Sequence, residues 1–378
     1  MSPSPNLPRI QSGVRQVEQY LSKRFENGDI DSLSVAVATS TGSLFERNYG
    51  AMRGNESAYS PLTHSHSMYR IVFVAKLFSA LEGHPRTERK IVMVRAHSLF
   101  FEISLRLHYY PRDDPVTKYF PELTYRLDGL KPDSRLRTVE EAPITLFQLA
   151  SHMSGLGRDW PPGTVHNWPR DMQGGGPPQT NALPFPDNPS LFRATAGRHL
   201  TSPPFAHPAY SNMGTALLGL ALMEANRRAS SDPSSEPSTY AELVQRDVFE
   251  PLGMNGSYFL ATEENNHLIV IPSLGPEVAD QDFLDATNPA AGQFSSLADT
   301  IIFLRMRPVH DFEEDDWTSM GFMWEIIKAQ DSNGRLRKIY WRLGAMLGYH
   351  TALAIHPGTS YGVSVLMVGH YPDAAKLV

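Results

Sequence analysis

The sequence predicts an α/β (α+β) fold: an antiparallel sheet built from both termini, flanked by helices, with a mainly helical lobe inserted between its halves. Three observations carry this. Leu33 to Thr39 and Leu44 to Tyr49 are strand-like runs split by a Ser40-Thr41-Gly42 turn, a β-hairpin pattern. Four further β-rich runs close the chain, with turns at Ser332-Asn333-Gly334 and Pro357-Gly358-Thr359. The stretch between is Pro- and Gly-rich and holds segments with helical periodicity.

In chain order, Val14 to Phe25 opens the fold. Its apolar residues Val14, Val17, Tyr20, Leu21 and Phe25 share one helical face. The hairpin follows, then Tyr69 to Leu81, which reads as a helix with Lys76 in its early turns. Thr145 to Ser151, Asn212 to Ala225 and Tyr240 to Phe249 read as helices. The second is apolar on most faces, so burial is expected. Trp160 to Pro189 and Ser230 to Ser238 lack the apolar residues to pack and read as loops. Leu297 to Met306 reads as a helix. Gly321 to Lys328, Leu336 to Trp341, Tyr349 to His356 and Tyr361 to Val368 read as an antiparallel meander. The organisation expected is a single domain over 1–378. It has a sheet lobe (30–80 and 290–378), a helical lobe (113–290) and an active site between them.

Composition excludes several chemistries. The 378 residues contain no cysteine, so disulfides, Cys-ligated zinc and thiol catalysis are absent. The net charge of −6 argues against nucleic acid or an anionic membrane surface as the partner. No run approaches the roughly 18 apolar residues of a membrane span, and Met1 to Arg15 has no signal-like apolar core. A cytoplasmic, soluble protein with a small-molecule substrate is expected; the oligomeric state is left open. His64, His66, His350, His356 and His370 match no compact ligand set, so neither metal nor cofactor is expected.

Four motifs carry the chemistry. They are Arg70-Ile71-Val72-Phe73-Val74-Ala75-Lys76-Leu77-Phe78; Leu146 to Leu156 with Ser151-His152-Met153-Ser154-Gly155; Tyr210-Ser211-Asn212-Met213-Gly214; and Arg342-Leu343-Gly344-Ala345. Asp114 to Tyr119 and Phe249 to Met254 accompany them. Singly each is weak; in this order, from about Leu33 to the C-terminus, the set resembles the β-lactamase-like serine hydrolase family. That family includes class C β-lactamases, D-Ala-D-Ala carboxypeptidases, esterases and secondary-metabolite transesterases. The resemblance implies the β-lactamase/transpeptidase-like fold. It also implies a Ser-x-x-Lys helix, a Tyr-x-Asn motif, a Lys/His-x-Gly strand and an oxyanion hole of backbone N–H groups.

Carried over residue by residue, Lys76 takes the place of the motif lysine and Tyr210 that of the tyrosine, the two catalytic positions. Asn212, Gly344 and Ala345 fall at substrate-binding positions. Arg342 stands where Lys or His is usual, keeping the charge with a different shape. Phe73 stands where the family keeps its nucleophile, so an acyl-enzyme there is chemically excluded. Ser79, one turn after Lys76, reads as helix packing rather than a substitute nucleophile. In the family, Ser151 to Ser154 holds a helix end and turn.

A second departure is an atypical insertion, 82–112. It carries six basic residues against three acidic ones, a net of +3 in an acidic protein, with no clean amphipathic pattern. It reads either as a lineage-specific lid or as translated non-coding sequence; the missing pattern favours the latter. The function these residues predict is of hydrolase or transesterase type, on a small ester, amide or polyketide-like metabolite. Lys76 and Tyr210 would then carry protons without covalent catalysis. The alternative is a pseudoenzyme or binding scaffold on the same fold.

Overall fold

The computed structural model describes residues 7–56, 58–79, 114–125, 143–159, 187–196, 198–305, 312–313, 318–321, 323–331 and 333–378. The 82–112 segment and most of the Trp160 to Pro189 loop lie outside them.

Helix α1 (Pro8–Phe25) begins earlier than its apolar stripe. Proline occupies its first turn, where the missing N–H costs nothing, and Lys23 and Arg24 meet its negative end. Strands β1 (Ile30–Thr39) and β2 (Gly42–Gly50) form the predicted hairpin. The helix expected from Tyr69 starts later. Met68–Arg70 is a strand, β3, paired with β4 (Phe294–Ser296). A single 3-10 turn, Val72–Val74, then leads into α2 (Ala75–Ser79). The pairing partner of β3 lies more than two hundred residues away, so no local periodicity announced it.

Next come α3 (Leu146–Ala150), α4 (Asn188–Ala196), α5 (Asn212–Ala229) and α6 (Tyr240–Val244). A π-turn (Gln245–Phe249) and the short α7 (Glu250–Leu252) extend α6. Capping boxes start α3 (Thr145 with Gln148) and α6 (Thr239 with Glu242), satisfying N–H groups the helices cannot. Helix α5 is capped by Ser211 and buried on most faces, as its all-round apolar pattern predicts. Then follow α8 (Leu284–Ala291) and α9 (Leu297–Leu304). The chain ends in β5 (Phe312–Glu313), β6 (Thr318–Gly321), β7 (Trp324–Gln330), β8 (Leu336–Met346), β9 (Tyr349–His356) and β10 (Tyr361–Gly369). Strand β8 runs five residues past its predicted end, which puts the Arg342 to Ala345 motif on the strand itself.

These strands form one antiparallel sheet in the order β2-β1-β10-β9-β8-β7-β6-β5, so the two ends of the chain meet at β1 and β10. Alternation divides its faces. Leu33, Val35, Ala352, Val365 and Met367 pack under α1 with Leu21, beside Ala374 and Leu377. Ala36, Ala38, Leu353, Ile355, Leu366 and Val368 face the main core with α2, α5 and α9. Helices on both faces of an antiparallel sheet is the architecture the sequence predicts.

Candidate functional site

The site forms where the turn before α2 meets strand β8. Val72 holds φ at +50°, a rare value for a β-branched residue and a strained one. That twist delivers Phe73 to the head of α2. A Cβ added to Gly344 would lie 2.3 Å from the Ile71 carbonyl and 3.1 Å from the Phe73 nitrogen, so only glycine lets β8 approach the turn this closely. Gly155 is held similarly: its φ is +71° and a Cβ there would strike the Ser202 carbonyl at 2.1 Å.

Arg70 anchors the turn from behind. Fully buried, its guanidinium donates to the carbonyls of Phe259, Val278, Ala279, Gln281 and Gly292. It also lies 4.0 Å from the centre of the Phe294 ring. The sequence motif contained Arg70, but nothing in it signalled this clamp on five distant carbonyls.

Lys76 is completely buried, and its amine donates to the Ala290 carbonyl at 2.7 Å. The amine sits 4.3 Å from the centre of the Phe73 ring and 5.3 Å from that of Tyr210. Burial first, and then the nearby Arg342 charge, hold its pKa well below the ordinary lysine value. Ser79 donates to the Pro289 carbonyl at 2.8 Å and contacts the Tyr240 hydroxyl, so its hydroxyl is engaged in packing α2 against α8 and α6.

Tyr210 meets Phe73 edge-on, ring centres 6.2 Å apart. Its hydroxyl donates to Asn212 Oδ1 at 2.9 Å, and burial pushes its pKa up to about 12. Lys76 and Tyr210 thus face the same aromatic ring, but each gives its proton to a different acceptor rather than to the other. Asn212 Nδ2 continues the chain to Asp159 Oδ1 at 2.6 Å.

Arg342, also fully buried, donates through Nε to the Phe73 carbonyl at 3.3 Å and through Nη1 to Glu325 at 3.2 Å. Its Nη2 has no hydrogen-bond partner among the described residues. The guanidinium lies 4.9 Å from the centre of the Tyr210 ring. Ala345, next on the strand beyond Gly344, is exposed.

His152, whose stretch reads as a structural turn, lies against the same tyrosine with ring centres 4.9 Å apart. Its Nδ1 accepts the Ser211 N–H at 3.2 Å, and its Nε2 is buried without a partner among the described residues. Burial, helped by Arg342 and Lys76, holds its pKa well below the usual histidine value. The structure therefore brings Phe73, Lys76, Tyr210, Asn212, Arg342 and Gly344 together. It adds His152, whose motif reads as a structural turn, and Asp159 and Glu325, which no sequence motif pointed to because each reaches the site from a separate element. No group of described residues has the makings of a metal centre. No helix among them is long and apolar enough to cross a membrane.

Known proteins resemble this chain in sequence and fold. The Beta-lactamase family model matches residues 17–377. The Beta-lactamase-like protein str5 of Strobilurus tenacellus is 34% identical over 230 residues, covering 59% of this chain and 74% of the relative. The str6 protein of the same organism is 34% identical over 153 residues; the match spans half of that relative's length and 35% of this chain. Among solved structures, a class C beta-lactamase superposes with a TM-score of 0.67 at 14% identity, over 98% of this chain and 94% of its own. At that identity the likeness speaks for the fold.

Proposed function

Since the chain belongs to the beta-lactamase family, we propose that it binds a small ester, amide or polyketide-like molecule beside β8 without forming an acyl-enzyme. The observation that carries this is the Phe73 ring, 4.3 Å from the Lys76 amine. The ring stands at the position of the family's nucleophile and lies against the base that would activate it. A phenyl group has neither a proton to surrender nor a lone pair to attack with. The neighbouring groups still suit a carbonyl ligand. Arg342 Nη2 is a buried cationic donor with no partner among the described residues, and Gly344 keeps the strand against the Phe73 nitrogen. On this reading the protein is a binding member of an enzyme family.

One observation favours a second reading. Burial holds the Lys76 amine well below its ordinary pKa, which favours its neutral, proton-accepting form. With Tyr210 as donor, it could hydrate, dehydrate, isomerise or cyclise a bound carbonyl compound without a covalent intermediate. Both side chains would first have to leave their acceptors, Ala290 and Asn212.

The test is a screen with a chromogenic ester and a chromogenic cephalosporin, run on the natural protein and on Phe73→Ser, beside a fluorophosphonate probe. Binding without turnover or labelling is expected of the natural protein, and labelling of Phe73→Ser. Covalent labelling of the natural protein in this site would overturn the proposal. Turnover without labelling would establish the second reading instead.

A further inference from the structure

Asp159 lies in a segment fastened to the start of α5. The Gly157 carbonyl accepts from Ser211 Oγ at 2.8 Å and the Arg158 carbonyl from the Asn212 N–H at 2.7 Å. The Asp159 carbonyl accepts from Arg198 Nη1 at 2.9 Å. Three successive carbonyls are thus tied, and the carboxylate is set 2.6 Å from Asn212 Nδ2.

We propose that Asp159 is a positioning residue that fixes the direction of the chain Tyr210→Asn212→Asp159, and so selects ligands that present a hydrogen-bond donor to the Tyr210 oxygen. The proposal rests on the reading of this site as a ligand site. Its logic is donor and acceptor supply. A carboxylate only accepts, so the Asn212 amide must turn its NH2 end toward Asp159. The carbonyl end then faces Tyr210, and the phenol must donate to it at 2.9 Å. With its proton committed, the hydroxyl offers a ligand only lone pairs. A ligand carbonyl is left to Arg342 Nη2, and the group beside it that meets Tyr210 must be a donor, a hydroxyl or an amide N–H. The class is therefore hydroxy- or amido-carbonyl compounds. The Asp159 charge acts in the same direction, raising the proton affinity of both Tyr210 and Lys76.

A competing role is simpler: a carboxylate beside the start of an 18-residue helix favours the helix dipole. That role affects stability alone. The discriminating measurement is the titration of Tyr210 in the full chain, followed by NMR of tyrosine labelled at 13Cζ and assigned with Tyr210→Phe. In Asp159→Asn the Asn212 amide is free to turn its NH2 toward a phenolate. The Tyr210 pKa is expected to fall by about one unit or more toward the ordinary value of about 10, while Asp159→Glu holds it in place. Asn212→Ser, which keeps the Asp159 charge, should lower the Tyr210 pKa as well, so the fall does not come from lost charge alone. An unchanged titration with reduced stability in Asp159→Asn overturns the proposal. Asn212→Ser reads the same chain from its middle if Asp159→Asn does not fold, and an unchanged Tyr210 titration there also overturns it. No ligand enters this measurement, so it fails separately from the ligand screen.

Discussion

The Phe73 ring and the Lys76 amine, 4.3 Å apart, form the contact on which the site turns. The ring shields a fully buried amine and contacts Tyr210 edge-on. Replacing it exposes the amine. In Phe73→Ala, Lys76 should become reactive toward trinitrobenzenesulfonate, and the unfolding free energy should drop. A fully buried Phe→Ala costs about 3–5 kcal/mol; Phe73 is only partly buried, so a value below that range is expected. Reactivity equal to wild type would mean that the ring does not cover the lysine.

Gly344 explains why the strand motif tolerates no side chain. Gly344→Ala places a methyl 2.3 Å from the Ile71 carbonyl, a rigid backbone neighbour. The strand must move off the turn, at a cost of about 1–3 kcal/mol in urea unfolding. In a Phe73→Ser background the same change should also slow labelling by a fluorophosphonate, because the donors around the new serine separate. Unchanged stability and labelling would show that β8 and the turn are not in contact.

Much of this was legible in the sequence, and the limits are physical. The strands at both ends announced themselves as β-rich runs split by turns, and α5 by apolar residues on most faces. Phe73, Lys76, Tyr210, Asn212, Arg342 and Gly344 could be named because they stand in short ordered motifs. Strand β3 was hidden because its partner, β4, is remote in sequence and each is only three residues long. Asp159 and Glu325 were hidden for the same reason. A carboxylate that acts across loops leaves no periodicity, and its role depends on which amide or guanidinium the fold brings to it.

Lys76 makes stability rise toward alkaline pH. Its folded pKa lies well below the ordinary value, because burial disfavours the ammonium form. Between the folded pKa and the unfolded value of about 10.4 the unfolded chain holds the extra proton. The slope of unfolding free energy with pH is therefore positive in that window. Lys76→Met cannot titrate. It should be at least as stable as wild type at neutral pH, and wild type should gain on it as pH rises toward about 10. Chemical unfolding at several pH values reads the difference; parallel curves would mean that the lysine is charged in the fold.

His152 sets the opposite limit, in acid. Its ring is buried, with Nδ1 accepting the Ser211 N–H, and burial with the Arg342 and Lys76 charges keeps it neutral well below the usual histidine pKa. The unfolded chain takes up a proton at about 6.5 while the folded one does not, so the unfolded state binds more protons just below that pH. Stability is fully present above about 6.5 and is lost as pH falls toward the folded pKa. The full slope is about 1.4 kcal/mol per pH unit. His64, His350 and His356 also have lowered pKa values, so the informative quantity is the difference from a variant. His152→Gln keeps an acceptor for the Ser211 N–H and cannot titrate. Below about pH 6.5, wild type should lose stability faster than His152→Gln in urea unfolding, by up to about 1.4 kcal/mol per pH unit. Equal slopes would place a charged imidazole beside Tyr210, and the cationic face of the site would then be larger by one group in acid.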